Sequence, residues 1–446
     1  MRKKRLLIYC LLFSFAIVFL YFVLGFQMPA MKKRIFIFAI WFFAEIYLWF
    51  SVFKTFDLFS KTKKRNKKRK ITEIIFTVLY WIPALIIGIM MLFLAGKGIQ
   101  NIDKSGYLTI MGICVIQYLI KFLLFFILIV FDAVTHFLNY FCVRSIAIKT
   151  IRKRFLKIAL GVYILCFLLL MYGTIWGADN FVVRETTIFS NHKSLKNNEL
   201  KIVLVSDLHL AVWRTKKPME KVVQLINAQN PDIICITGDY VQFSSSEFIP
   251  YIPILQQLKA NYGIYSVLGN HDYGRYSYFP DDDTRKKDVQ QLIEYQRNLG
   301  WRILLNQNEK LILNSNGNSV TMAGIEYYSP KKLFKNEGDI DKTFANIDTS
   351  DYVIFLSHDP QAWHTVKEQN LPANLTLSGH THGMQLGIYS SLIRWSPASL
   401  LYKEWGGLYS DAHFPNKKLY VNVGLGSVGL PARVGISPEI TVIILR

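Results

Sequence analysis

Five stretches in the second half of the chain each end an apolar run on residues with lone pairs to offer. Val203-Leu204-Val205-Ser206 runs into Asp207-Leu208-His209, and Ile233-Ile234-Cys235-Ile236-Thr237 into Gly238-Asp239. Ile264-Tyr265-Ser266-Val267 leads through Leu268-Gly269 to Asn270-His271-Asp272. Val353-Ile354-Phe355-Leu356-Ser357 meets His358-Asp359, and Leu375-Thr376-Leu377-Ser378 meets Gly379-His380-Thr381-His382. Carboxylate, amide and imidazole donors together suit Mn, Fe or Zn more than Ca. Any one of these stretches is weak, since a strand-ending Gly-Asp is common turn chemistry. Five in this order, each after a strand, predict a site for a pair of divalent metals. Five of the nine histidines lie in them; His136, His192, His364 and His413 read as surface or packing residues.

The positioning elements are legible from the same runs. Short apolar, β-rich segments that stop at Gly or a polar residue read as buried strands. In open α/β sheets, sites form at the carboxyl ends of such strands. Phe181 to Phe189 reads as a first strand and Asn191 to Asn198 as a polar turn. Lys217 to Ala228 has helical spacing at Val222, Val223, Leu225 and Ile226, and Phe248 to Leu258 and Val289 to Leu299 look similar. Asn316-Gly317-Asn318 reads as a hairpin turn. Two more strand-like runs, Leu419 to Val423 and Ile440 to Leu445, end the chain. Mixed βαβ units with added hairpins predict an α/β sandwich over residues 181–446.

Taken together, Asp207-x-His209, Gly238-Asp239, Gly269-Asn270-His271-Asp272, a separate His358 and Gly379-His380-x-His382 resemble the signature of the calcineurin-like metallophosphoesterases. The Ser-Asp-Leu-His-Leu and Ser-Gly-His-Thr-His-Gly wording is similar to the bacterial membrane-associated branch. The resemblance implies the same α/β sandwich and a hydrolase of phosphate esters. By chemistry and by that analogy, Asp207, His209 and His382 would hold one metal, and Asn270, His358 and His380 the other. Asp239 would bridge, because a carboxylate has two oxygens. Two cations so placed lower the pKa of a shared water and clamp the attacking and leaving oxygens of an in-line displacement. His271 matches the family's non-ligand histidine and is assigned to the leaving group. Asp272 either orients His271 or serves the turn. One departure is Met384, where that branch repeats Gly before Gln385; it is not a ligand position.

Charge divides the chain. Residues 1–180 hold 25 Lys and Arg against 6 Asp and Glu; residues 181–446 hold 27 against 25. A near-neutral second part argues against a nuclease that must attract a polyanion. In the first part, basic clusters alternate with apolar runs Leu6–Gly25, Ile35–Phe53, Ile75–Ala95, Leu108–Phe131 and Leu156–Ala178. Each approaches the roughly 20 residues that cross a bilayer. The reading is therefore a transmembrane helical region of about five spans over residues 1–180, or four if the first run is cleaved as a signal peptide. With the N-terminus inside, the cytoplasmic segments carry 19 Lys and Arg and the outer loops 5. That bias places the catalytic domain outside the cytoplasm of a bacterial inner membrane. The basic run from Lys61 to Lys70 fits contact with anionic lipid. Glu45 and Lys121 fall mid-span, where a charge is costly unless paired. Among the cysteines, Cys235 reads as a small core residue, and no disulfide framework is expected.

The reading that results is a membrane-anchored, metal-dependent phosphoesterase acting on mono- or diesters, with lipids as neighbours, a phosphodiester as the favoured substrate and a lipid-linked ester as one candidate. The apolar stretch Tyr389 to Trp405, with Arg394 and Lys403 among its residues, is expected at the membrane surface. A glycine-rich turn from Gly424 to Arg433 could seat a phosphate, and the loop Tyr273 to Asp283 could act as a lid. The alternatives are a pyrophosphatase on a nucleotide-linked lipid precursor such as UDP-diacylglucosamine, or a non-catalytic membrane sensor.

Overall fold

Strands buried on both faces read as continuous apolar runs, because every side chain meets either the facing sheet or a covering helix. The computed structural model shows this directly. It describes residues 43–51, 71–75, 77–78, 80–86, 104–140, 145–195, 199–313, 318–330, 335–390 and 392–446. In chain order the strands are β1 (Val182–Ile188), β2 (Leu200–Val205), β3 (Ile233–Ile236), β4 (Ile264–Ser266), β5 (Arg302–Ile303), β6 (Gln307–Ile312) and β7 (Ser319–Gly324). Then follow β8 (Tyr352–Leu356), β9 (Leu375–Ser378), β10 (Ile388–Tyr389), β11 (Arg394–Trp395), β12 (Gly407–Asp411), β13 (Phe414–Val421) and β14 (Glu439–Leu445).

Two six-stranded sheets form, in the orders β1-β14-β2-β3-β4-β5 and β12-β13-β9-β8-β7-β6. Ile202 and Leu204 of β2 point between the sheets with Ile354 and Leu356 of β8. The alternate residues Val203 and Val205 point out to Val222 and Ile226 of helix Lys217–Asn227. Val353 and Phe355 point out the other way, to Ala362 and Val366 of helix Ala362–Glu368. Helix, sheet, sheet, helix: the expected α/β sandwich is what forms. Cys235 is fully buried between the sheets. Strands β2, β3 and β4 run parallel, as do β7, β8, β9 and β13. Their carboxyl ends carry all five metal-like stretches.

Two local expectations are corrected, and the place of the last strand is set by the fold. Phe248 to Leu258 is not one helix but a 3₁₀ turn, Ile249–Tyr251, followed by a single turn, Ile252–Leu255. Pro250 and Pro253 remove the N–H donors a longer helix needs. The acids 281–283 belong not to a lid loop but to the start of helix Asp282–Asn298. Asp281 caps it by accepting from Thr284 N at 2.6 Å, and Asp282 and Asp283 oppose the positive end of its dipole. The last strand, β14, does not lie at an edge; it inserts between β1 and β2, parallel to one and antiparallel to the other. Strands β6 and β7 pair as the expected hairpin, Leu311 opposite Val320, while residues 314–317 of its turn lie outside the described residues.

The chain divides into two compact units, Met1–Gly96 with Ile113–Phe167, and Lys97–Gly112 with Leu168–Arg446. Two long helices occur, Lys104–Tyr140 and Ser145–Ile175. Among the described residues, one helical stretch, Thr150–Asp179, is long and apolar enough to cross a membrane. The first predicted span and the basic run from Lys61 to Lys70 lie outside the described residues, as do parts of the second and third spans.

Within the first unit, Lys121 Nζ sits 2.8 Å from Glu45 Oε1, both side chains buried, and lies 4.2 Å from the centre of the Tyr80 ring. Removing one partner of a buried pair strands the other charge, at a cost of about 3–5 kcal/mol. Glu45→Gln and Lys121→Met are each expected to lower the unfolding midpoint of the detergent-solubilised protein. The double variant should recover part of that loss, and purely additive losses would show that the two charges are not coupled.

Candidate metal centre

Asp207 and His209 follow β2, and Asp239 follows β3. Asn270, His271 and Asp272 follow β4, His358 follows β8, and His380 and His382 follow β9. The structure brings all nine together. Three donor groups emerge: Asp207, His209 and His382; Asp239, His358 and His380; and His209, Asp239 and His271. In each, the donor atoms lie within 4.8 Å of one another. His209 Nε2 faces His382 Nε2 at 3.2 Å, and His382 Nε2 lies 3.0 Å from Asp207 Oδ1. His358 Nε2 faces His380 Nδ1 at 3.1 Å. Asp239 stands between the two sets: its Oδ2 is 3.1 Å from His358 Nε2 and 3.6 Å from His209 Nε2.

The backbone supports this convergence in a way the strand pattern does not reveal. Asp207, His209, Asp239, His380 and His382 all adopt left-handed conformations, with φ of 55°, 42°, 55°, 73° and 51°. Asp and His tolerate that region better than most residues, and strain of this kind gathers at functional sites. Gly269 and Gly379 meet a different demand. A Cβ on Gly269 would strike the Asp239 carboxylate, and one on Gly379 would strike Ser206 and Asp207. Glycine is what lets neighbouring strand ends approach closely enough to share ligands.

Burial sets the electrostatics. Desolvation lowers His209 well below the ordinary imidazole range, and neighbouring His271 pushes the same way. Burial also acts to lower His358, but the Asp239 carboxylate outweighs it and raises that imidazole to about 10. Asp239 is in turn held below the usual carboxylate range: burial opposes its charge, and the surrounding histidines, His358 foremost, more than offset that.

The donors fit divalent cations. Imidazole nitrogens face each other at 3.1–3.2 Å in a buried cluster, an arrangement that needs a shared proton or a cation between the lone pairs. His358 Nδ1 donates to Thr237 O at 2.7 Å, which leaves Nε2 as the nitrogen turned toward Asp239 and His380. Asn270 donates from Nδ2 to Tyr276 Oη at 2.8 Å, and its Oδ1 is buried with no hydrogen-bond partner among the described residues.

Comparison with known proteins agrees with this geometry. Residues 200–384 match the model of the calcineurin-like phosphoesterase family. The uncharacterized metallophosphoesterase YkuE of Bacillus subtilis is 31% identical over 250 residues, covering 55% of this chain and 79% of YkuE. The chain belongs to the calcineurin-like metallophosphoesterases. A zebrafish (Danio rerio) transmembrane protein with a metallophosphoesterase domain is 29% identical over 286 residues, 64% of this chain and 61% of that protein's length. A similarly named protein of cattle (Bos taurus) is 30% identical over 257 residues, 56% of this chain and 53% of its own. The second part of this chain is accordingly a metal-dependent phosphoesterase domain, a hydrolase of phosphoric esters.

Around the metallophosphoesterase ligands sit residues whose parts were not evident from their types. His271 is held by Gln242, whose carbonyl oxygen accepts from Nδ1 at 3.1 Å, and by Tyr276, stacked on it with ring centres 4.0 Å apart. Tyr402 Oη lies 2.9 Å from His380 Nε2. These tyrosines stand in loops, where aromatic residues carry no periodic signal. Arg433 is buried, and its guanidinium donates to Val423 O at 2.9 Å and Gly426 O at 3.1 Å. It closes its own glycine-rich turn and is not presented to a phosphate.

Asp272 takes the turn role. Its carboxylate accepts from Asp239 N and Tyr240 N at 2.8 Å, Gly269 N at 2.9 Å and Val241 N at 3.2 Å. It makes no bond to the His271 ring among the described residues. It fastens the β3 and β4 loops together and so sets where Asp239 and Asn270 stand. Asp272→Asn turns an amide N–H₂ toward two of these four donors, an expected loss of about 2–4 kcal/mol. Thermal unfolding and metal content should fall together; a lower turnover with stability unchanged would return Asp272 to the reaction itself.

Proposed function

We propose that this protein is a membrane-anchored phosphodiesterase with a two-metal centre. The observation that carries the reading is the placement of Asp239. One carboxylate stands within 3.6 Å of an imidazole from each donor set, as a bridging ligand must. Asp207, His209, His382 and Asp239 would hold one divalent cation, and Asn270, His358, His380 and Asp239 the other. Bound there, Mn, Fe or Zn would activate water and neutralise charge on the transferring phosphoryl group.

The chain's own residues do the rest. Gln242 fixes the His271 ring through Nδ1, so Nε2 is the nitrogen left for proton work. As an imidazolium, His271 gives its proton to the departing ester oxygen. Tyr276 covers one face of that ring and steadies Asn270, while Asp272 holds the loops that carry both.

The anchor reading is supported by the apolar stretch Thr150–Asp179 and by the names of the zebrafish and cattle relatives. The excess of Lys and Arg in the inner segments supports a domain outside the cytoplasm of a bacterial inner membrane, with membrane lipids around it and a lipid-linked diester as substrate. A cytoplasmic nucleotide-linked lipid precursor fits that side of the membrane less well. The test uses the full-length protein in detergent, stripped by chelator and reloaded. Two metals per chain and higher turnover on a diester than on a monoester are expected. One metal at saturation would refute the two-metal reading.

A further inference from the structure

The loop after the last ligand motif is apolar and faces outward. Leu392 is 93% exposed and Leu400 85% exposed, and Leu386, Ile388 and Trp395 are exposed as well. Monomeric proteins rarely leave so many large apolar side chains together in water. Arg394 and Lys403, also exposed, stand among them.

This tract is tied by backbone bonds to the end of the membrane-length helix. Arg433 N donates to Gly173 O at 3.1 Å, and Val434 N to Gln385 O at 2.8 Å. Gly387 N donates back to Val434 O at 3.0 Å. The helix end is itself apolar and exposed, at Leu168, Tyr172 and Trp176. Aromatic residues at a helix end beside basic ones suit the boundary between lipid and water. At its other end the tract reaches the metal centre, where Tyr402 Oη meets His380 Nε2 at 2.9 Å.

We propose that residues 384–390 and 392–401 are a docking surface for the lipid bilayer. Resting on the reading of helix Ser145–Ile175 as an anchor, this goes further: the catalytic domain lies down on the membrane. Leu392, Leu400 and Trp395 enter the interfacial region, and Arg394 and Lys403 meet anionic headgroups. The centre then opens at the bilayer surface, where an acylated phosphoester presents its headgroup.

The test uses the full-length protein in nanodiscs containing phosphatidylglycerol with a photoactivatable acyl chain. Adducts mapped by mass spectrometry are expected both in helix residues 158–169 and in the loop. The double variant Leu392→Asp, Leu400→Asp should cut loop adducts by at least about tenfold, with helix adducts and hydrolysis of a soluble nitrophenyl diester unchanged. Helix adducts without loop adducts would overturn the docking and leave the anchor standing. Loop adducts alone would keep the docking and end the anchor reading. Adducts at neither place would refute both, and loop cross-links to a second copy of the chain in place of lipid would also overturn the docking.

Discussion

Asp239→Asn is expected to remove metal from the protein and to lower turnover by a thousandfold or more, about 4 kcal/mol of transition-state stabilisation. The substitution is nearly isosteric. Oδ1 can still accept from His271 N, now 2.8 Å away, so the loop is retained. What changes is charge: the one carboxylate shared between the donor sets becomes a neutral amide with a single acceptor oxygen. Both sets are expected to weaken together, because an imidazole of each lies within 3.6 Å of the same oxygen, Oδ2. Metal analysis by mass spectrometry and a diesterase assay on the same preparation decide the matter. Full metal content in the variant would show that Asp239 is not the bridge.

His271→Ala should behave in the opposite way, keeping its metal and losing its chemistry. Positioned general acids contribute about 10²–10⁴-fold, and a fall of that size is expected with metal content near normal. The outcome is a real test, because the His271, His209 and Asp239 donor atoms lie within 4.8 Å of one another; a ligand role is geometrically open. Leaving-group dependence separates the two. A nitrophenolate departs without a proton, so the variant should lose much less on nitrophenyl esters than on alkyl esters. Equal losses on both, with metal depleted, would place His271 among the ligands.

The ligand types, their order and their seats at strand ends could be read directly from the sequence. That is because a strand buried on both faces must be apolar throughout, so the first polar residues after it stand out. Asp207, His209, Asp239, Asn270, His358, His380 and His382 are all visible by that contrast. The apolar, basic first part marked a membrane reading for the same reason, since composition alone decides which segments tolerate lipid.

Tertiary structure decided what those residues contact. Asp272 lies one residue from His271 in the chain, yet its carboxylate turns to four amides of two loops. No local pattern encodes that, because three of the donors come from residues about 30 positions earlier. Arg433 looked available to a phosphate until its carbonyl partners were in place. Tyr276 and Tyr402 reach His271, Asn270 and His380 only because loops fold back over the sheet ends. β14 became a central strand because the space between β1 and β2 needed an apolar strand on both faces, a demand set by its neighbours. Residue types fix the chemistry a site can perform. Which groups meet there is settled by packing between segments far apart in the chain, and sequence spacing carries no record of it.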